Sequence, residues 1–181
     1  MIIAISGAIK SGKTTLSARL AERLGWPRAS FGDCVRPVAR ERGLDESRES
    51  LQALGAELVA QNPEAFICRT LAAARLEPDP SVVLEGVRHL EIFEKLRRIA
   101  APATVLLVYV DISISVRASR LGLDEKAAVS ELRRLDEHST EVQVAGTLLS
   151  VADLVVDGAK DVDKSVEEIV DWLEGRDQGH A

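Results

Sequence analysis

Short apolar runs alternate along the chain with longer stretches of helical periodicity. Ile2 to Ser6 is an apolar run of β-type residues that stops at a glycine, the pattern of a buried strand. From Lys13 to Leu24 the apolar residues Leu16, Leu20 and Leu24 recur at helical spacing, and Gly25 and Pro27 close the run. Arg28 to Phe31 is expected as a brief second strand. Asp33 to Arg42 and Ser47 to Gln61 read as helices divided by Gly43. Pro63 to Leu76 reads as another, with Asn62 as its N-cap and Pro63 in its first turn. Pro78 and Pro80 break the chain before a third strand, Val82-Val83-Leu84. His89 to Ile99 is helical. Thr104 to Val110 is almost wholly apolar, which predicts a strand covered on both faces. Ser113 to Arg120 and Asp124 to Glu137 are charged helices, and Leu154 to Val156 is a last short strand. Asp161 to Leu173 is an amphipathic closing helix with Val162, Val166, Ile169, Val170 and Leu173 on one face. Glu174 to Ala181 reads as a frayed tail.

Strands that alternate with helices predict an α/β fold, a parallel sheet with helices on both faces. Ligands of such sheets bind at the carboxyl ends of the strands. The 181 residues contain no internal repeat and suit one domain, expected over 1–175 with 176–181 as tail. A composition 46% hydrophobic and 29% charged excludes disorder. A net charge of −6 argues against a nucleic-acid binder that works by broad electrostatics. Cys34 and Cys68 make neither a disulfide framework nor a zinc pattern. No apolar run approaches the roughly 20 residues that span a membrane. The first apolar stretch is too short for a signal peptide. The expectation is a cytoplasmic protein with a small-molecule partner, no nucleic acid and no membrane, as a monomer or homodimer.

The charge distribution sharpens this. Residues 1–150 are net neutral, and the whole −6 falls in 151–181. Of 23 basic residues, 17 are arginine. A GC-rich genome and a site that grips phosphates with bidentate guanidinium groups both produce such a bias.

Gly7-Ala8-Ile9-Lys10-Ser11-Gly12-Lys13-Thr14 fits G-x-x-x-x-G-K-[ST] at every fixed position. It follows a strand and opens a helix, as a phosphate-binding loop must. Gly7 and Gly12 allow backbone conformations that side chains block. The loop N–H groups and the helix N-terminus then face an anion. Lys13 can reach β- and γ-phosphates, and Thr14 offers a hydroxyl to Mg²⁺. The nucleotide-binding set is Gly7, Ala8, Lys10, Ser11, Gly12, Lys13, Thr14 and Thr15.

With this loop, the chain resembles the P-loop small-molecule kinases of the nucleoside monophosphate kinase group. Within it, the resemblance is to dephospho-coenzyme A kinase-like and deoxynucleoside monophosphate kinase-like members, over nearly the whole length. It implies a three-layer P-loop NTPase fold with a five-stranded parallel sheet. It also implies a helical acceptor-binding insert over residues 33–77, a short lid over 117–140, and ATP and Mg²⁺ as cofactors. In Phe31-Gly32-Asp33-Cys34-Val35-Arg36, Asp33 matches the family aspartate that faces the acceptor. Arg36 and Arg40, one helical turn apart, could point together at an acceptor phosphate. The competing reading makes Asp33 a helix cap and both arginines solvated. Arg48 and Gln52 are i, i+4 neighbours suited to reading a base or phosphate, or an ordinary polar face. Val82-Val83-Leu84-Glu85-Gly86-Val87-Arg88 is an apolar strand that ends in an acid, as metal-holding carboxylates do. The related kinases usually carry Asp-Gly here; Glu85 is one methylene longer. Arg88 matches the family arginine that grips the acceptor phosphate.

The resemblance also assigns Arg117 and Arg120 to the opening of a lid, one stacking on adenine and others serving the transferring phosphoryl. Arg133 and Arg134 are candidates for its closing set, or for a solvated helical hairpin with an ion pair such as Glu131 with Arg134, beside His138. Glu141 matches a family glutamate loosely. In Asp153-Leu154-Val155-Val156-Asp157-Gly158, Asp157 stands where relatives often have Asn beside the adenine. The expected activity is ATP-dependent transfer to a small phosphorylated acceptor, a (deoxy)nucleoside monophosphate. The expected catalytic set is Lys13, Asp33, Arg88, Arg117 and Arg120, with Thr14 and Glu85 on the metal. A hydroxyl acceptor, as in dephospho-coenzyme A kinases, would use Asp33 as base. A nucleotide-dependent switch or regulatory ATPase is the rival from another class.

Overall fold

A computed structural model describes residues 1–74, 81–122, 124–136 and 144–178. Five strands form one sheet: β1 (Ile2–Gly7), β2 (Arg28–Ser30), β3 (Val82–Glu85), β4 (Val105–Asp111) and β5 (Leu154–Asp157). Their order is β2-β3-β1-β4-β5, and every pairing is parallel. The eight α-helices described are α1 (Lys13–Leu24), α2 (Phe31–Glu41), α3 (Arg48–Gln61), α4 (Pro63–Ala73), α5 (Leu90–Ala100), α6 (Ile114–Ser119), α7 (Glu125–Asp136) and α8 (Val162–Gln178). A π-helical turn at Val144–Leu148, which periodicity did not reveal, precedes β5. The expected parallel sheet with helices on both faces is the fold observed.

Two cores explain the two helical layers. Side chains alternate across each strand, so one face of the sheet presents Ile2, Ala4, Leu84, Leu107 and Tyr109 to α2, α4 and α5. The other face presents Ile3, Ile5, Val83, Val108 and Val110 to α1 and α8. β1 sits in the middle with all six residues buried. A small separate core of Ala118, Ala128 and Leu132 joins α6 to α7.

Three boundaries differ from the sequence expectation. β2 ends at Ser30, and Phe31 already belongs to α2. The cap of α2 is Ser30, whose side chain accepts from the Asp33 N–H, so Asp33 lies in the first turn and is not the cap. The closing helix continues through Glu174 to Gln178, so residues expected to fray are helical. The bidentate Arg23–Glu167 pair, at 2.9 and 3.2 Å, ties α8 back onto α1. The end of α6 and all of α7 fall within the residues 117–140 expected as lid. His138, expected there, and Glu141, just beyond, lie outside the described residues.

Leu107 is fully buried at the centre of β4, against the acceptor-side core. Leu107→Ala should cost about 2–5 kcal/mol through lost burial and the cavity it leaves. Urea unfolding followed by circular dichroism measures this.

Candidate active site

The carboxyl ends of β1, β3 and β4 lie side by side. Register pairs Ile5 with Glu85 and Gly7 with Val110. The cleft above these ends has a volume of about 1050 Å³. The loop after β1 wraps into α1 and forms one wall. Gly7 has a φ of +149°, and a Cβ there would lie 2.7 Å from the Val110 carbonyl oxygen, so a side chain is excluded on both counts. Lys10 takes a φ of 63°, uncommon for a residue with a side chain. α1 starts at Gly12 with no side-chain cap and no acidic residue in its first turn. Its first N–H groups and the positive end of its dipole are therefore available to an anion.

The buried Ser11 hydroxyl lines the cleft and has no hydrogen-bond partner among the described residues. A buried polar atom of this kind fits a loop completed by a ligand. Lys13 folds back, its ammonium donating to the Ala8 carbonyl at 3.1 Å. Burial first, and the Arg88 charge second, push Lys13 down to about 7, against the opposing pull of Glu85. Arg88 is pushed down to about 10 by burial and then by Arg48, again against Glu85. Arg48, Arg88, Gln52 and Arg36 all line the same cleft.

Glu85 is the carboxylate at the centre. Its Oε1 accepts from the Thr14 hydroxyl at 2.5 Å. Burial alone would raise its pKa. Hydrogen bonds from Thr14 and Arg28, with the charges of Arg28 and Lys13, outweigh burial and hold it below the usual carboxylate range. An ionised carboxylate beside a loop hydroxyl is a donor set suited to Mg²⁺. Among the described residues no group of three or more His, Cys, Asp or Glu is placed to hold a metal. Thr14 and Glu85, with the phosphates of a ligand, are the fitting donors.

The structure brings Lys13, Thr14, Thr15, Arg36, Arg48, Gln52, Glu85, Arg88 and Arg120 to this cleft, with Asp33 at its rim. It does not bring Arg40, which is exposed and pairs with Glu46. Arg117 does not line the cleft: it is 5% exposed, and its Nε donates to the Ile9 carbonyl at 2.7 Å. It braces the phosphate loop from outside, where adenine stacking was expected. Arg120 grips the loop too, through the carbonyls of Lys10, Ser11 and Gly158, while facing the cleft. Asp157 turns its carboxylate to the Ala159 N–H, and the neighbouring Gly158 lines the cleft instead. Arg133 is exposed and Arg134 pairs with Glu131 at 2.8 Å, and neither lines the cleft. Arg28, which belongs to no motif, was missed: it pairs with Glu85 at 2.7 Å. Its only sequence signal is position, an arginine opening a strand whose other two residues, Ala29 and Ser30, are small.

A Cβ on Gly158 would lie 2.8 Å from the Ser11 carbonyl oxygen and from a Val110 methyl. Gly158→Ala should therefore displace the phosphate loop and weaken nucleotide binding about tenfold or more, equivalent to at least 1.4 kcal/mol. Isothermal calorimetry with ADP checks it.

Comparison with known proteins agrees with this geometry. A family model described as an AAA domain matches residues 3–146. A UPF0200 protein of Pyrobaculum aerophilum is 32% identical over 173 residues, which cover 93% of this chain and 94% of the relative. A cytidylate kinase of Methanothrix thermoacetophila is 33% identical over 166 residues, covering 87% and 88%. Among solved structures, a shikimate kinase from Aquifex aeolicus superposes with a TM-score of 0.58 at 21% identity, with 99% of each chain covered. That likeness shows a P-loop kinase fold. The chain therefore belongs to the AAA domain family that this model describes, and to the UPF0200 family of its relatives.

Proposed function

We propose that the chain is an ATP- and Mg²⁺-dependent kinase that transfers a phosphoryl group to a small, already phosphorylated acceptor, a (deoxy)nucleoside monophosphate. The observation that carries this reading is the convergence of Lys13, Arg36, Arg48 and Arg88 on one cleft, with Lys13 and Arg88 both near the buried carboxylate Glu85. Burial first and neighbouring cations second hold Lys13 and Arg88 below their ordinary pKa, which is a cost of keeping both charged in this cleft. Polyanions on both sides of the transfer relieve it. The wall behind the cations is apolar and includes Leu51, Val59, Phe66 and Ile92. An apolar wall suits a base better than a polyol.

In this reading the loop N–H groups and Lys13 hold the donor phosphates, and Arg120 and Gly158 flank the adenosine side. Mg²⁺, held by Thr14 and Glu85, would neutralise charge on the transferred phosphoryl. Arg88, Arg48 and Arg36 orient the acceptor phosphate. Such pre-positioned charges act on a transition state whose demand is electrostatic and geometric. A phosphate acceptor is already ionised and needs no base. Asp33 accordingly serves to orient Arg36, its partner at 2.8 Å. The likeness in sequence to a protein named cytidylate kinase supports the acceptor class.

An ADP-release assay across ribo- and deoxynucleoside monophosphates and dephospho-coenzyme A tests the proposal. Stimulation by at least one monophosphate is expected; only acceptor-independent hydrolysis would overturn it. Lys13→Ala should abolish transfer. Arg88→Ala should raise acceptor KM about tenfold or more, the worth of one charge-assisted hydrogen bond, and leave ATP affinity nearly intact. Equal loss on both sides would move Arg88 to the donor.

A further inference from the structure

Arg28 has no place in the reading above, yet it makes the most specific contacts on the metal side of the cleft. It opens β2, the edge strand next to β3. The register pairs Arg28 with Val83 and Ser30 with Glu85. Arg28 therefore stands diagonally across from Glu85 on the face that carries α1. Its Nη2 donates to Glu85 Oε2 at 2.7 Å, and its Nε donates to the Ser17 hydroxyl at 3.0 Å. Ser17 Oγ is itself 3.2 Å from the same Oε2 and 2.9 Å from the Thr14 carbonyl oxygen, two acceptors that share its one proton. The planar guanidinium thus has a two-point mount, one point on the carboxylate and one on α1.

Charge neutralisation alone does not call for this arrangement. Lys13 already stands near Glu85. Glu85 carries one more rotatable bond than the aspartate of related kinases, and so one more freedom to lose. Arg28 and Ser17 remove that freedom from Oε2. Oε1 is left on the Thr14 hydroxyl. A hydroxyl that donates its proton to a fixed carboxylate keeps its lone pairs free for a cation.

We propose that Arg28 is a positioning residue for the cation that accompanies the nucleotide. With Ser17 it pins one oxygen of Glu85, so that the other holds Thr14 with its lone pairs presented to the metal. The inference rests on the reading of the cleft as a Mg²⁺–nucleotide site.

The test is ADP binding by calorimetry to the full chain, in saturating Mg²⁺ and in EDTA. Arg28→Met should lower affinity about tenfold in Mg²⁺, the worth of a charged hydrogen bond, and leave affinity in EDTA unchanged. Arg28→Lys keeps the charge and loses the fork, so it should show a substantial part of the same loss. If Arg28→Met does not fold, Ser17→Ala, which removes one mounting point, should lower the Mg²⁺ affinity selectively by about threefold. Three results would overturn the proposal: equal losses in Mg²⁺ and EDTA, no loss in either, or wild-type behaviour of Arg28→Lys. A wild-type chain whose ADP affinity ignores Mg²⁺ would instead refute the underlying reading of the site.

Discussion

The structure depends on the parallel register of three central strands. β1 pairs with β3 on one edge and β4 on the other, and its six residues are buried. A slip of one residue would turn Ile3 and Ile5 to the wrong core, so the register is firmly held. Because it is held, Ile5 lies level with Glu85 and Gly7 level with Val110. The loop must then leave β1 directly against Val110, which only a glycine permits there. α1 must start where Thr14 meets Glu85. Packing of the sheet, not any local preference of the loop, sets the distance between hydroxyl and carboxylate.

The arginines divide by what they grip. Arg117 and Arg120 bind backbone carbonyls of the phosphate loop, Arg120 while also lining the cleft. A carbonyl drawn outward leaves the N–H groups of the loop turned inward, and so organises an anion site without touching the anion. Arg36, Arg48 and Arg88 face the cavity itself. The first group makes the loop a rigid receptor; the second gives the cleft its positive field. Separate parts of the fold contribute: α3 carries Arg48, and α6, which packs with α7 in the small third core, carries Arg117.

Much of this was legible in the chain. The G-x-x-x-x-G-K-T pattern located the loop because its residue types follow from backbone geometry that few sequences satisfy. Apolar strands and helical periodicity located the layers, because burial imposes those periods. Errors fell where side-chain partners are remote in sequence. Arg40 and Arg36 look equivalent on one helix face, but Glu46 beyond the helix end holds Arg40 at 2.5 Å and reaches Arg36 only at 3.9 Å, and only Arg36 lines the cleft. Arg117 and Arg120 look like a pair of lid cations, but both find carbonyls more than a hundred residues away. The residues beyond Leu173 read as a frayed terminus, yet the helix continues to Gln178.

The sequence by itself determined the α/β alternation, the position of the phosphate loop, the acid at the end of β3 and the neutrality of the first 150 residues that hold the clustered arginines. These are local properties, read from periodicity, turn chemistry and charge. Only the tertiary structure decided which arginines meet the cavity, which brace the loop, and that Arg28 and Ser17 hold Glu85. Those contacts join β2, α1 and β3 across as many as 68 residues of chain. Their geometry is set by strand register and helix packing, which no single stretch of sequence contains.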